Sequence, residues 1–183
     1  DLQVVLMIGA AIGNVFDLNT IKGVYKQSSL PNIYEKILKA VETGYIIPVD
    51  KSLYELKAIR YAEKFSKDVL QLNLIFRFAH DRIQQAAYMI LDKETKKVFN
   101  YKIGQVRLAN IPSTKRKRRI FEIVGYFNVA LDLVASKEEL QQIVKLNFIA
   151  SQRAQSSAAY KEALSFGRIA YELMEVDIWQ QDY

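Results

Sequence analysis

Cysteine is absent from this chain of 183 residues, and histidine occurs once, at position 80. Those scarcities remove disulfides, Cys-rich zinc sites and thiolate nucleophiles, and they force any Ser/His/Asp relay through a single base. No serine stands in a G-x-S-x-G elbow, and the acidic residues are dispersed over helical patterns without the spacing of a carboxylate pair or metal cage. The expectation is a stretch of chain that is not an enzyme by itself and holds neither metal nor cofactor. Proline and glycine are also scarce, at three and seven residues. With long runs of Ala, Leu, Lys, Glu and Gln, that scarcity predicts a mainly helical chain with short connections.

No apolar run is long enough to cross a bilayer. The longest, Leu2 to Phe16, is interrupted by Gln3, Gly9, Gly13 and Asn14 and falls short of the roughly 20 residues a membrane helix needs. It predicts a buried helix. The chain opens on Asp1 with neither a basic leader nor an initiator methionine, so the expectation is a piece of something longer, and the absence of cysteine makes the cytoplasm its expected place.

Half of the residues are apolar, enough for one respectable core or two small ones of about 90 residues each. The formal charge of +6 is concentrated, since Lys115, Arg116, Lys117, Arg118 and Arg119 follow one another. Such a run could meet nucleic acid, an acidic partner or anionic lipid, or it could be a solvated basic loop before a helix.

The first half, residues 1–91, alternates helical and strand patterns. Leu2 to Val15 predicts one helix, and Asp17 is a suitable N-cap for a second over Leu18 to Gln27. Pro31 opens a third helix, Asn32 to Thr43, whose apolar face is Ile33, Ile37, Leu38 and Val41 and whose C-cap is Gly44. Tyr45 to Val49 and Leu74 to Ala79 predict strands, the second alternating Leu74, Phe76 and Phe78 against Ile75 and Arg77. Three helices followed by a hairpin describe a winged helix with a long wing insertion over 50–72. The third helix, where such folds read DNA, offers Tyr34, Glu35, Lys36, Lys39 and Glu42, a charge-neutral set poor in base-reading side chains. Nucleic acid is therefore not the expected partner.

The second half, 92–183, has no strand pattern. Glu94 to Ala109, Arg119 to Val134, Lys137 to Gln155 and Ala158 to Met174 each repeat apolar residues at three- and four-residue intervals. The last two carry Ala150, Ala154, Ala158, Ala159, Ala163 and Ala170 where helices approach closely, which fits an antiparallel, TPR-like (tetratricopeptide) hairpin. A protein partner on these C-terminal helices, with the first half as a rigid connector, is the adaptor reading.

Two local motifs have competing readings. Gly9-Ala10-Ala11-Ile12-Gly13 is a small-xxx-small pattern in a predicted helix and reads as close helix packing, since no Gly-Lys-Ser/Thr phosphate loop accompanies it. His80 lies where the alternating run joins a helical one. An imidazole at a helix N-terminus can add a donor to a bound phosphate. The structural alternative is a capping-box variant in which Asp81 caps the helix and Gln84 reaches back.

The stretch Phe76-Arg77-Phe78-Ala79-His80-Asp81-Arg82-Ile83-Gln84-Gln85-Ala86-Ala87-Tyr88 resembles the region after the ATPase domain in large bacterial signalling proteins. Those proteins carry a Ser/Thr-kinase-like domain, a STAND-class AAA-type ATPase, a helical region, a GAF domain and a sensor histidine kinase. The likeness includes Ile8 to Asp17, Phe121-Glu122-Ile123-Val124 with Asn128, Leu146 to Ala150, and Ala158-Ala159-Tyr160 with Trp179 and Tyr183. In STAND ATPases a winged helix closes over bound ADP, and the histidine of an M-H-D motif contacts the β-phosphate. His80-Asp81 is similar to that pair, with Ala79 in place of methionine. The resemblance implies that His80 reads ADP or ATP held by a neighbouring ATPase domain, that Asp81 supports the junction, and that the partners are the ATPase and kinase domains of the same chain.

Overall fold

The computed structural model describes residues 2–26, 29–50, 52 and 74–179. Helix α1 (Leu2–Ile12) buries Val5, Ile8, Gly9, Ala10 and Ile12. A helix that is apolar nearly all round belongs inside its domain. It packs against α3 (Leu30–Glu42) and α4 (Asp81–Met89).

The first helix stops before its apolar run does. Gly13 takes φ +141, which other residues rarely adopt, and the chain turns there into strand β1 (Val15–Asp17). The expectation of one helix through Val15 is thereby corrected, and the two glycines of the small-xxx-small pattern separate. Gly9 stays in the helix, where an added Cβ would stand 3.1 Å from the buried Phe16 ring. Gly13 makes the turn.

Asp17 ends β1 and caps α2 (Leu18–Val24), accepting the Thr20 N–H at 2.8 Å and the Thr20 hydroxyl at 2.9 Å. This is the expected cap, on a helix that ends at Val24 rather than Gln27. At the far end of α3, Gly44 adopts φ +73. Its N–H donates to the Val41 carbonyl at 3.0 Å and that of Tyr45 to Ala40 at 2.9 Å, the paired bonds that close a helix past a left-handed glycine.

Strands β2 (Ile46–Pro48) and β3 (Ile75–Phe78) complete an antiparallel sheet of order β1-β3-β2. The expected hairpin is corrected to three strands, with the last in sequence at the centre. Phe16 stands opposite Phe76 and Ile46 opposite Phe78, so the period of two sends all four side chains to the buried face. Val15, Ile47, Ile75 and Arg77 alternate outward. Pro48, which cannot donate to a ladder, sits on an edge strand. Apart from Asp50 and Ser52, the insertion expected over 50–72 lies outside the described residues.

Asp92 accepts the Thr95 N–H at 2.8 Å and its hydroxyl at 2.6 Å, repeating the Asp17 arrangement at the start of α5 (Lys93–Asn110). Those bonds, the hydroxyl first, hold the Asp92 carboxyl below the usual carboxylate range. The chain forms two compact units, Asp1–Ile103 and Gly104–Tyr183, and α5 contributes to both.

In the second unit the basic run is helical, not a loop. It spans α6 (Ser113–Arg116) and a 3-10 turn over Lys117–Arg119. α7 (Ile120–Asn128) follows, and the helix expected to reach Val134 ends at Asn128, with a separate 3-10 turn at Leu131–Leu133. α8 (Lys137–Ser156) and α9 (Tyr160–Trp179) form a hairpin in which Ala150, Ala154, Ala163 and Ala170 are buried. Ala158, expected among them, instead makes the exposed turn at φ +57. A side chain there costs about 1–2 kcal/mol. Ala158→Gly is therefore expected to stabilise the chain by roughly 0.5–1 kcal/mol once the added freedom of the unfolded state is deducted, read as a higher urea midpoint.

Candidate functional site

The central strand determines where the histidine stands. β3 pairs with both neighbours, and just beyond it the Ala79 N–H donates to the Tyr45 carbonyl at 3.0 Å. Extended backbone therefore persists to His80, at φ −149 and ψ 141, and the helix begins at Asp81. His80 is the N-cap. Its Nδ1 accepts the Arg82 N–H at 3.2 Å, which requires the neutral ring to carry its proton on Nε2.

This corrects the capping box. Asp81 occupies the first helical position, where its charge favours the positive end of the helix without capping it. Gln84 does not reach back either; its Nε2 donates to the Ala10 carbonyl at 3.4 Å, tying α4 to α1. The Ile83 N–H is taken by the His80 carbonyl at 2.9 Å. Two first-turn donors are thus already used by His80, and the imidazole stands with the exposed Arg82 side chain among the groups that can meet an anion there. His80, Asp81 and Arg82 are all exposed.

The basic run is partly committed to structure. Arg116 donates to the carbonyls of Ile111 and Leu108, both at 3.1 Å, closing the end of α5. Arg119 and Arg107 share Glu122, at 2.8 and 3.3 Å, and Arg153 donates to the Lys117 carbonyl. Lys115, Lys117 and Arg118 are exposed and form no ion pair among the described residues. Arg153 also lies over the Phe121 ring, 5.2 Å from its centroid, and that ring stacks on Phe166.

Two features escaped the sequence reading. The first is a reciprocal amide pair: Asn128 Nδ2 donates to Asn147 Oδ1 at 2.8 Å, and Asn147 Nδ2 returns a bond to Asn128 Oδ1 at 2.9 Å. Asn147 also donates to the Ile143 carbonyl at 3.1 Å and is fully buried. The second is an apolar groove of about 670 Å³ along α8 and α9, lined by Leu140, Val144, Phe148, Ile149, Ala170 and Met174 with Gln141 and Lys145. Leu140, Val144 and Phe148 recur every fourth residue, a stripe separate from the buried Ile143, Leu146, Asn147 and Ala150. Two apolar stripes on one helix are visible in sequence as an over-wide face.

Among the described residues no three His, Asp or Glu side chains gather where they could share a metal ion, and no helix is long and apolar enough to cross a membrane.

No family model matches the chain, and no solved structure does. A curated protein of Dictyostelium discoideum, hybrid signal transduction histidine kinase G, is 32% identical over an alignment of 203 positions that covers 94% of this chain. The chain spans only 6% of that protein's length. It is thus similar, distantly and along nearly its whole length, to a small part of a signal-transduction kinase.

Proposed function

We propose that this chain is a non-catalytic regulatory stretch of a cytoplasmic signal-transduction kinase. Its first unit acts as a winged-helix lid over a neighbouring STAND-type ATPase domain, and its second as a TPR-like scaffold that passes the ADP or ATP state to an output. The three helices, the β1-β3-β2 sheet and the likeness to a signal-transduction kinase support this reading. The observation that carries it is the exposed imidazole at the end of the central strand. With Nδ1 tied to Arg82, His80 has its Nε2–H left as a donor of the kind a β-phosphate oxygen accepts. Asp81 would support the junction through its charge at the first turn.

The test is ADP release from the full-length protein with its ATPase domain. His80→Ala is expected to speed dissociation about tenfold, the effect of losing one hydrogen bond to a charged group worth about 1.4 kcal/mol. Asparagine caps helices well, so His80→Asn separates the two roles. If only the cap matters, His80→Asn restores wild-type release; if the imidazole reads the nucleotide, it does not. Unchanged affinity and dissociation in His80→Ala would end the sensor reading.

A further inference from the structure

The groove on the second unit presents large apolar side chains to water on a surface that also carries charge. Phe148 is 57% exposed and Met174 51%, although Leu140 and Val144 beside them are partly covered. Exposed apolar surface gathered into one concavity marks a binding surface more often than scattered exposure does.

Its rim is cationic. Lys145 lines this groove and also an adjoining one of about 260 Å³, which Arg116 and Lys117 line as well. Ile149 is shared by both concavities, so the apolar floor and the cations form one continuous surface. Lys145 and Lys117 form no ion pair among the described residues. The carboxylates at the start of α8 are engaged elsewhere: Glu138 accepts the Ser136 hydroxyl at 2.6 Å and Glu139 the Gln105 amide at 2.9 Å.

We infer that this surface binds an acidic amphipathic helix from a protein partner, its apolar face over Leu140, Val144 and Phe148 and its carboxylates against Lys145 and Lys117. Charge complementarity selects the sign of the partner. The apolar lining selects its class, because a nucleic-acid backbone has no side chains to fill such a groove, whereas an amphipathic helix supplies anchors at i, i+3, i+4 and i+7. The inference is independent of the role proposed for His80, and either can fail while the other stands.

The probe is a synthetic 18-residue helix with leucines at those positions and glutamates on both flanks, fluorescein-labelled and titrated with the whole 183-residue chain. Saturable binding is expected at micromolar concentrations. Phe148→Ala and Lys145→Glu should each weaken it about tenfold; both side chains are exposed, and unchanged circular dichroism and melting would confirm that the variants fold. A probe with glutamine for every glutamate should lose most of its affinity. No saturable binding, or binding that neither substitution weakens, would overturn the inference. So would tighter binding to duplex DNA or to anionic phosphatidylserine vesicles than to the helix.

Discussion

Phe76→Ala is expected to cost the first unit about 3–5 kcal/mol, a large share of the roughly 5–15 kcal/mol that holds a small domain together. Phe76 is fully buried on the central strand, opposite Phe16, with ring centroids 6.0 Å apart. Phe16 in turn lies 5.2 Å from Phe78. Removing the Phe76 ring leaves a cavity that its neighbour cannot easily close, because Phe16 is already held against Gly9 and Phe78. The measurement is urea unfolding, in which the midpoint should fall steeply. Phe76→Leu keeps most of the volume and should lose clearly less; equal losses would mean that the cavity is not the cause.

The second large effect is expected at Asn147. Replacing it with alanine removes three hydrogen bonds and leaves the Asn128 amide facing the vacated site, for an expected loss of about 2–4 kcal/mol. Asn128→Ala should also destabilise, because it strands part of a fully buried amide. The double substitution has nothing left to strand. Its cost should fall short of the sum of the single ones by at least about 0.5 kcal/mol in a double-mutant cycle, and strict additivity would show that the two amides do not act as a pair.

Much of the first unit is legible in its residues, and the misses have physical reasons. Leu74 to Phe78 reads as a strand because alternation survives over five residues. Val15-Phe16-Asp17 does not, since three residues carry no recognisable period and only Gly13 and Asn14 separate them from an apolar helix. Gly13 was the available signal, a residue suited to a turn at the point where the helix had to end.

Asp81 looks like the better cap by residue preference, but tertiary structure decides the matter. The bond from Ala79 to Tyr45 extends the strand and shifts the helix start, so the cap falls to His80. The role proposed for that histidine came from resemblance, not from its spacing. Asn128 and Asn147 are on different helices, and a pairing across 19 residues leaves no local pattern. The groove was there to be read in Leu140, Val144 and Phe148, but one apolar stripe is easily taken as the edge of another.

The strand order has a consequence in time. β1 and β2 emerge first from synthesis, and neither is bonded to the other in the finished sheet; each waits for β3. His80 follows β3 by two residues and takes its conformation from that strand's hydrogen bonds. The place of the histidine thus depends on a closed sheet, because the Tyr45 carbonyl that extends the strand toward it comes from the far side of residues 50–72. In this arrangement a signalling contact made through His80 would also certify that the domain behind it is whole.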